Sequence, residues 1–112
     1  MNYRVELTEE VIDFILSLPI KMQAKIQRTI NLLKEFGYAL PEPHSKKLKS
    51  VVDIYELRVR LGSDISRLFY FYWKNKVYIV TSGYIKKSNK TDKNEIQKAI
   101  NLMNKFKEQS DE

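Results

Sequence analysis

The segment Arg67-Leu68-Phe69-Tyr70-Phe71-Tyr72-Trp73 constrains this chain more than any other. It is almost continuously apolar and aromatic, so as a strand it has no polar side to show to water. A strand of that kind is covered on both faces. The chain therefore needs a sheet with further elements packed against it. Residues 54–60 supply a neighbouring strand, with Tyr55, Leu57 and Val59 on one face and Glu56, Arg58 and Arg60 on the other. Gly62-Ser63-Asp64 is turn chemistry, Lys74-Asn75-Lys76 makes a tight connection, and residues 77–82 read as a last strand. Short connections make an antiparallel meander the simplest topology for the three.

The covering layers are helical. Residues 3–6 alternate as a short first strand, and Thr8 then caps a helix whose first turn carries Glu9 and Glu10. Val11, Ile12, Ile15, Leu16 and Leu18 form its apolar stripe, and Pro19 stops it. A second helix starts near Lys21, with Met22, Ile26, Ile30, Leu33 and Phe36 at helical spacing and Gly37 as the C′ residue. Residues 38–45, with Pro41 and Pro43, read as a loop, and residues 83–90 as a polar, basic segment. Asp92 with Glu95 forms a capping box for a final helix that buries Ile96, Ala99, Ile100, Met103 and Phe106. The order β-α-α-β-β-β-α predicts an α+β fold, in which a helical hairpin and a C-terminal helix pack an antiparallel meander sheet. At 112 residues one domain spanning 1–112 is expected, with a frayed acidic tail over 108–112.

Charge is spread unevenly. Residues 1–45 hold five Lys/Arg against six Asp/Glu, whereas residues 46–107 hold fifteen against five. A second half this basic attracts phosphate polyanions. Several chemistries are excluded. No cysteine is present, which removes disulfides and thiolate metal sites and suits a reducing cytosol. The single histidine, His44, lies in the proline loop and reads as an exposed loop residue, so no histidine-pair nuclease can be built. The three glycines are not grouped into a phosphate loop, and the carboxylates are too scattered for a two-metal site. No cofactor or metal is expected, nor any membrane span or secretory signal.

What remains is a basic and aromatic cluster: Lys46, Lys47, Lys49, Arg58, Arg60, Arg67, Tyr84, Lys86 and Lys87. Arg67 is the most telling of these, because a charge at the head of so apolar a run must face a partner or a cleft edge. Such a set suits RNA cleavage without metal, in which the ribose 2′-hydroxyl attacks the adjacent phosphate. Arginine matches phosphate oxygens bidentately, a lysine crowded by cations can take a proton nearer neutrality, and tyrosine can stack on a base or handle a proton. Charge and spacing alone favour a solvated sheet edge, or a surface for an acidic partner protein, over a cleavage site.

Four motifs in register carry a resemblance. Ile54-Tyr55-Glu56-Leu57-Arg58, Arg67-Leu68-Phe69-Tyr70-Phe71, Ser82-Gly83-Tyr84-Ile85-Lys86-Lys87, and Glu95-Ile96 with Ala99 resemble the RelE/HigB toxin superfamily, in particular its phage-derived HigB-like branch. The resemblance covers residues 48–105. It implies the toxin of a type II toxin–antitoxin pair, a cytoplasmic, ribosome-dependent mRNA interferase. Its implied partners are mRNA on the ribosome and an antitoxin, usually a helix-turn-helix protein, with which it would assemble into an oligomer.

Carried over by position, Arg67 matches the family's phosphate-stabilising arginine. Arg58 matches a basic residue near the scissile phosphate, Lys86 and Lys87 a basic pair, and Tyr84 an aromatic position. Lys46, Lys47, Lys49 and Arg60 would bind RNA. Two departures touch the general base: RelE has a lysine where this chain has Glu56, and Thr91-Asp92-Lys93-Asn94 lacks the tyrosine found in RelE. Lys87 or Lys86 then becomes the proton acceptor. A gyrase-poisoning toxin of the ParE type and a partner-binding module without chemistry are the competing readings, since fold does not fix function.

Overall fold

The computed structural model describes residues 2–49, 51, 53–86 and 92–110. Strand β1 (Arg4–Leu7) leads into helices α1 (Glu9–Leu16) and α2 (Ile20–Phe36). A 3-10 turn over Gly37–Ala39 and a loop then reach β2 (Ser45–Lys47), β3 (Tyr55–Leu61), β4 (Asp64–Tyr72), β5 (Val77–Lys86) and helix α3 (Lys93–Ser110). The five strands form one sheet in the order β1-β5-β4-β3-β2. The expected meander β3-β4-β5 is antiparallel throughout.

Two strands extend the meander on either side. β1 lies parallel to β5, with Val5 beside Tyr78 and Leu7 beside Val80. β2 pairs with residues 55–57 of β3. Its sequence, Ser-Lys-Lys, carries no strand pattern because only one of its side chains, Ser45, is buried. The Ser45 hydroxyl lies 2.6 Å from the Tyr70 hydroxyl, which ties this edge to the core.

β4 is covered on both faces. Leu68 and Tyr70 join Val11, Met22, Ile26, Ile30 and Leu33 of the helical hairpin in one cluster. Phe69 and Phe71 join Ile79, Ala99 and Met103 under α3 in the other. Each fully buried phenylalanine contributes about 2–3 kcal/mol by removing its ring from water. Thr8 and Asp92 cap their helices as expected, but the Asp92 N–H donates to the Tyr84 hydroxyl rather than to Glu95, so only half of the expected capping box forms. Val11 N–H donates to the Thr8 hydroxyl, and Asn94 N–H donates to the Asp92 carboxylate at 2.8 Å. Gly37 has φ +55, and a Cβ there would stand 2.5 Å from the Tyr3 ring, so only glycine turns the chain here.

Three boundaries move. β4 begins at Asp64, in the expected turn, rather than at Arg67, because Asp64, Ile65 and Ser66 pair with Leu61, Arg60 and Val59 of β3. β5 continues past Ser82 to Lys86, where the basic segment was expected to begin, because Tyr84 and Lys86 still pair with Arg67 and Ile65 of β4. α3 continues through Glu108 to Ser110, so the helix outlasts the start of the acidic run. Among the described residues, no helix is long and apolar enough to cross a membrane.

Candidate active site

The register between strands builds the site. Arg58 stands opposite Arg67, and Arg67 opposite Tyr84, so three side chains form one row across β3, β4 and β5. The flanking rows add Lys46 opposite Glu56 on one side and Lys86 opposite Ile65 on the other. A β-bulge decides which face Tyr84 and Lys86 occupy. Tyr70 pairs with Val80 but Phe69 pairs with Ser82, leaving Thr81 as the extra residue. Below the bulge the odd residues Val77 and Ile79 point to the α3 side. Above it the even ones do, so Tyr84 and Lys86 share a face with Arg67 and Arg58. Bulges re-aim side chains in this way. Here Thr81 is held by its own hydroxyl on the Phe69 carbonyl (3.3 Å) and by the Thr8 hydroxyl on its carbonyl (2.6 Å).

The centre of the row is a buried carboxylate. Glu56 is fully buried, and one of its oxygens, Oε1, accepts from Arg67 Nη1 at 2.7 Å and from Arg58 Nε at 2.9 Å. The pairing neutralises part of the charge and fixes the planes of both guanidinium groups. Arg67 is only 5% exposed and Lys86 only 4%. Arg67 Nε and Lys86 Nζ nevertheless have no hydrogen-bond partner among the described residues. Two buried cationic donors left in that state are costly unless an anion meets them.

Burial, reinforced by Arg67, Arg58 and Lys46, lowers the Lys86 ammonium below its ordinary value, against the pull of Glu56. Burial raises the Tyr84 hydroxyl above its own, so it keeps its proton at neutral pH. That hydroxyl accepts from Asp92 N–H at 3.2 Å, and the Tyr84 ring stacks on Phe69 with centroids 5.9 Å apart.

The lowered Lys86 has a thermodynamic consequence. Between its folded value and 10.5 the unfolded chain binds more protons than the folded one, so unfolding free energy rises with pH across that window. Lys86→Met is therefore expected to melt at a higher temperature than the wild type at neutral pH. The gap should close as pH climbs toward 10.5. Paired thermal melts from pH 7 to 10.5 check this, and a variant less stable at pH 7 would mean that the lysine gains more from its neighbours than burial costs it.

Of the residues singled out in the sequence, Arg58, Arg67, Tyr84, Lys86 and Lys46 converge. Arg60 follows Arg58 on the same strand face and lines an adjoining groove. Lys47 pairs with Tyr55, one position out of step with Lys46 and Glu56, and Lys49 is exposed beyond the end of β2. Lys87 lies outside the described residues. His44 is not the exposed loop residue expected: it is half-buried and lines that groove, because its carbonyl accepts from Arg58 N–H at 2.9 Å. Sequence reasoning treated Glu56 only as a departure and passed over Lys25 and Arg28. The alternation of Glu56 with Arg58 on one strand face was the available signal for the first. The i, i+3 spacing of Lys25 and Arg28 was the signal for the second.

A family model described as phage derived protein Gp49-like (DUF891) matches residues 13–104. Among solved structures, a chain of the archaeal RelE–RelB complex from Pyrococcus horikoshii OT3 is 26% identical. It has a TM-score of 0.59, covering 80% of this chain and 100% of that one. The E. coli toxin RelE, solved in the free state as a double arginine-to-alanine mutant, is 20% identical with a TM-score of 0.67. That match covers 90% of this chain and 97% of that one. These likenesses show a RelE-like fold. No curated relative matches the chain.

Proposed function

The chain belongs to the phage-derived Gp49-like family, within the RelE/HigB toxin superfamily, and from that premise we propose that it is a type II toxin that cleaves mRNA on the ribosome. The observation that carries the reading is the pair of buried cationic donors without a hydrogen-bond partner among the described residues, Arg67 Nε and Lys86 Nζ, on the face shared with Arg58 and Tyr84. A phosphodiester satisfies both donors.

In this mechanism the ribose 2′-hydroxyl attacks the adjacent phosphorus, forming the 2′-oxygen bond and breaking the bond to the 5′-oxygen. The products are a 2′,3′-cyclic phosphate and a free 5′-hydroxyl. Arg67 and Arg58, held in place by Glu56, stabilise the charge on the phosphorane. Lys86, whose ammonium holds its proton less tightly than an ordinary lysine, is placed to take the 2′-proton, and Tyr84, which keeps its proton, gives it to the leaving 5′-oxygen. All the groups this reaction needs come from the chain, with no metal or cofactor, and it takes place in the cytoplasm where ribosomes are.

The test is primer extension on a reporter mRNA in a reconstituted translation reaction, with and without ribosomes. New 5′ ends that require ribosomes support the reading. Ends produced equally on naked mRNA would make ribosome dependence wrong. No new ends from folded, antitoxin-free protein would favour a gyrase poison or a binding module.

The archaeal relative was crystallised as a RelE–RelB complex, which supports an antitoxin as this chain's partner. α1 and α2 leave between them an apolar groove of about 420 Å³, where Leu16 is 66% and Ile20 77% exposed. Exposed apolar surface of this kind marks an interaction site. An amphipathic antitoxin helix with acidic flanks fits it, because Lys25 and Arg28 on the neighbouring flank of α2 supply opposite charge. The double variant Leu16→Glu, Ile20→Glu is expected to keep its melting temperature and to bind the antitoxin at least about 100-fold more weakly in calorimetry. Unchanged affinity would remove this groove from the interface.

A further inference from the structure

β2 is only three residues long, so it covers β3 at residues 55–57 and leaves residues 58–61 without a strand partner on that side. Other groups take up part of that edge. Arg58 N–H donates to the His44 carbonyl, and Lys25 Nζ donates to the Arg60 carbonyl at 2.9 Å. The edge thus becomes the floor of a groove of about 630 Å³ between α2 and the loop before β2. Lys25 and Arg28 enter it from α2, Lys46 from β2, and Arg58, Arg60 and Arg67 from the sheet.

Among the described residues, no carboxylate lines this groove. Among the described residues, Lys25, Arg28, Lys46 and Arg60 make no salt bridge. Cations gathered from three elements around one concavity repel one another, and low-dielectric walls focus their field outward. Leu32, Val59 and Pro43 add apolar wall against which a base can lie. The volume falls within the range of about 300–1,000 Å³ typical of ligand sites and is far more than one phosphate needs. Arg58 and Arg67 line the groove and also form the cleavage row, so the two are continuous.

We propose that this groove is a second RNA site, holding the phosphates of a single strand as it leaves the cleavage row, with Lys25, Arg28 and Arg60 as the contacts. The inference rests on the reading of that row as an RNA-cleaving site, but it makes a claim of its own, that the chain grips RNA where no bond is broken. The strand is either the message, continuing from the scissile phosphate, or a segment of ribosomal RNA. Both present the same phosphate chemistry.

The test measures binding, so that it does not depend on cleavage. A fluorescent, 2′-O-methylated oligoribonucleotide, which cannot be cut, is titrated by anisotropy at several salt concentrations. Ribosome binding is measured in parallel by sedimentation. The proteins are wild type, Arg28→Ala, and Lys25→Ala with Arg28→Ala. The Arg28 side chain makes no hydrogen bond or salt bridge among the described residues, so its variant keeps the fold if the double variant does not.

For a message strand, each lost contact should weaken oligonucleotide binding several-fold and flatten the slope of log K against log salt by about 0.7. For ribosomal RNA, the oligonucleotide is indifferent and ribosome binding weakens instead. Unchanged binding in both arms overturns the groove. A cleavage assay on the wild type separates the two claims: if it cleaves nothing while the groove variants still lose RNA, the cleavage reading fails and the groove stands.

Discussion

Arg67→Ala is expected to lower ribosome-dependent cleavage by about a thousand-fold, the scale seen when one preorganised donor to a developing oxyanion is removed. The effect is large because Arg67 is held at both ends. Its backbone sits mid-sheet between Arg58 and Tyr84, and its guanidinium is fixed by Glu56 at 2.7 Å. It therefore needs no reorganisation when charge builds on phosphorus. Arg67→Lys separates charge from geometry. Lysine keeps the positive charge but lacks the planar fork, so it cannot hold Glu56 with one nitrogen and reach a phosphate oxygen from a second, separately placed one. Activity should stay low in single-turnover reactions on stalled ribosomes. Recovery to near wild-type rates with lysine would reduce the role of Arg67 to a point charge.

Removing Glu56 should have the largest effect on stability. Its oxygen is the shared acceptor for two guanidinium groups, and Lys86 is buried close by. Glu56→Ala leaves Arg67 buried without its carboxylate, and breaking one side of a buried ion pair costs about 3–5 kcal/mol. For a chain of this size that is a fall in melting temperature on the order of 15 °C. Added phosphate should restore much of the loss, because an anion bound among Arg58, Arg67 and Lys86 stabilises only the folded state. The wild type should gain less. Thermal melts across a phosphate series at constant ionic strength check this. A variant that phosphate does not rescue more than wild type would mean that these cations do not form an anion site.

Glu56 also shows how part of the site was legible and part was not. Its alternation with Arg58 placed both on one face of β3, and the apolar run after Arg67 marked that arginine as a charge needing a partner. That the partner is Glu56 depends on register, since Glu56 pairs with Phe69 and Arg58 with Arg67. Register between strands is set by turns and by the packing of both faces. Lys25 and Arg28 share one flank of α2, but that this flank faces a groove depends on β2 stopping short at the β3 edge beneath them.

The elements that local periodicity specifies were determined by sequence alone. The helical stripes of α1, α2 and α3, the caps at Thr8 and Asp92, and a β4 with no polar face all follow from the side chains within a few residues. They required a sheet packed on both sides. Tertiary structure decided what lies far apart in the chain. It set β1 parallel beside β5 and placed an extra residue at Thr81. Without that bulge the strict two-residue alternation of β5 would turn Tyr84 and Lys86 toward the helical hairpin, away from Arg67. Nothing around Thr81 in the sequence marks the bulge, because it is held by bonds to Phe69 and Thr8, residues brought there only by the folded sheet.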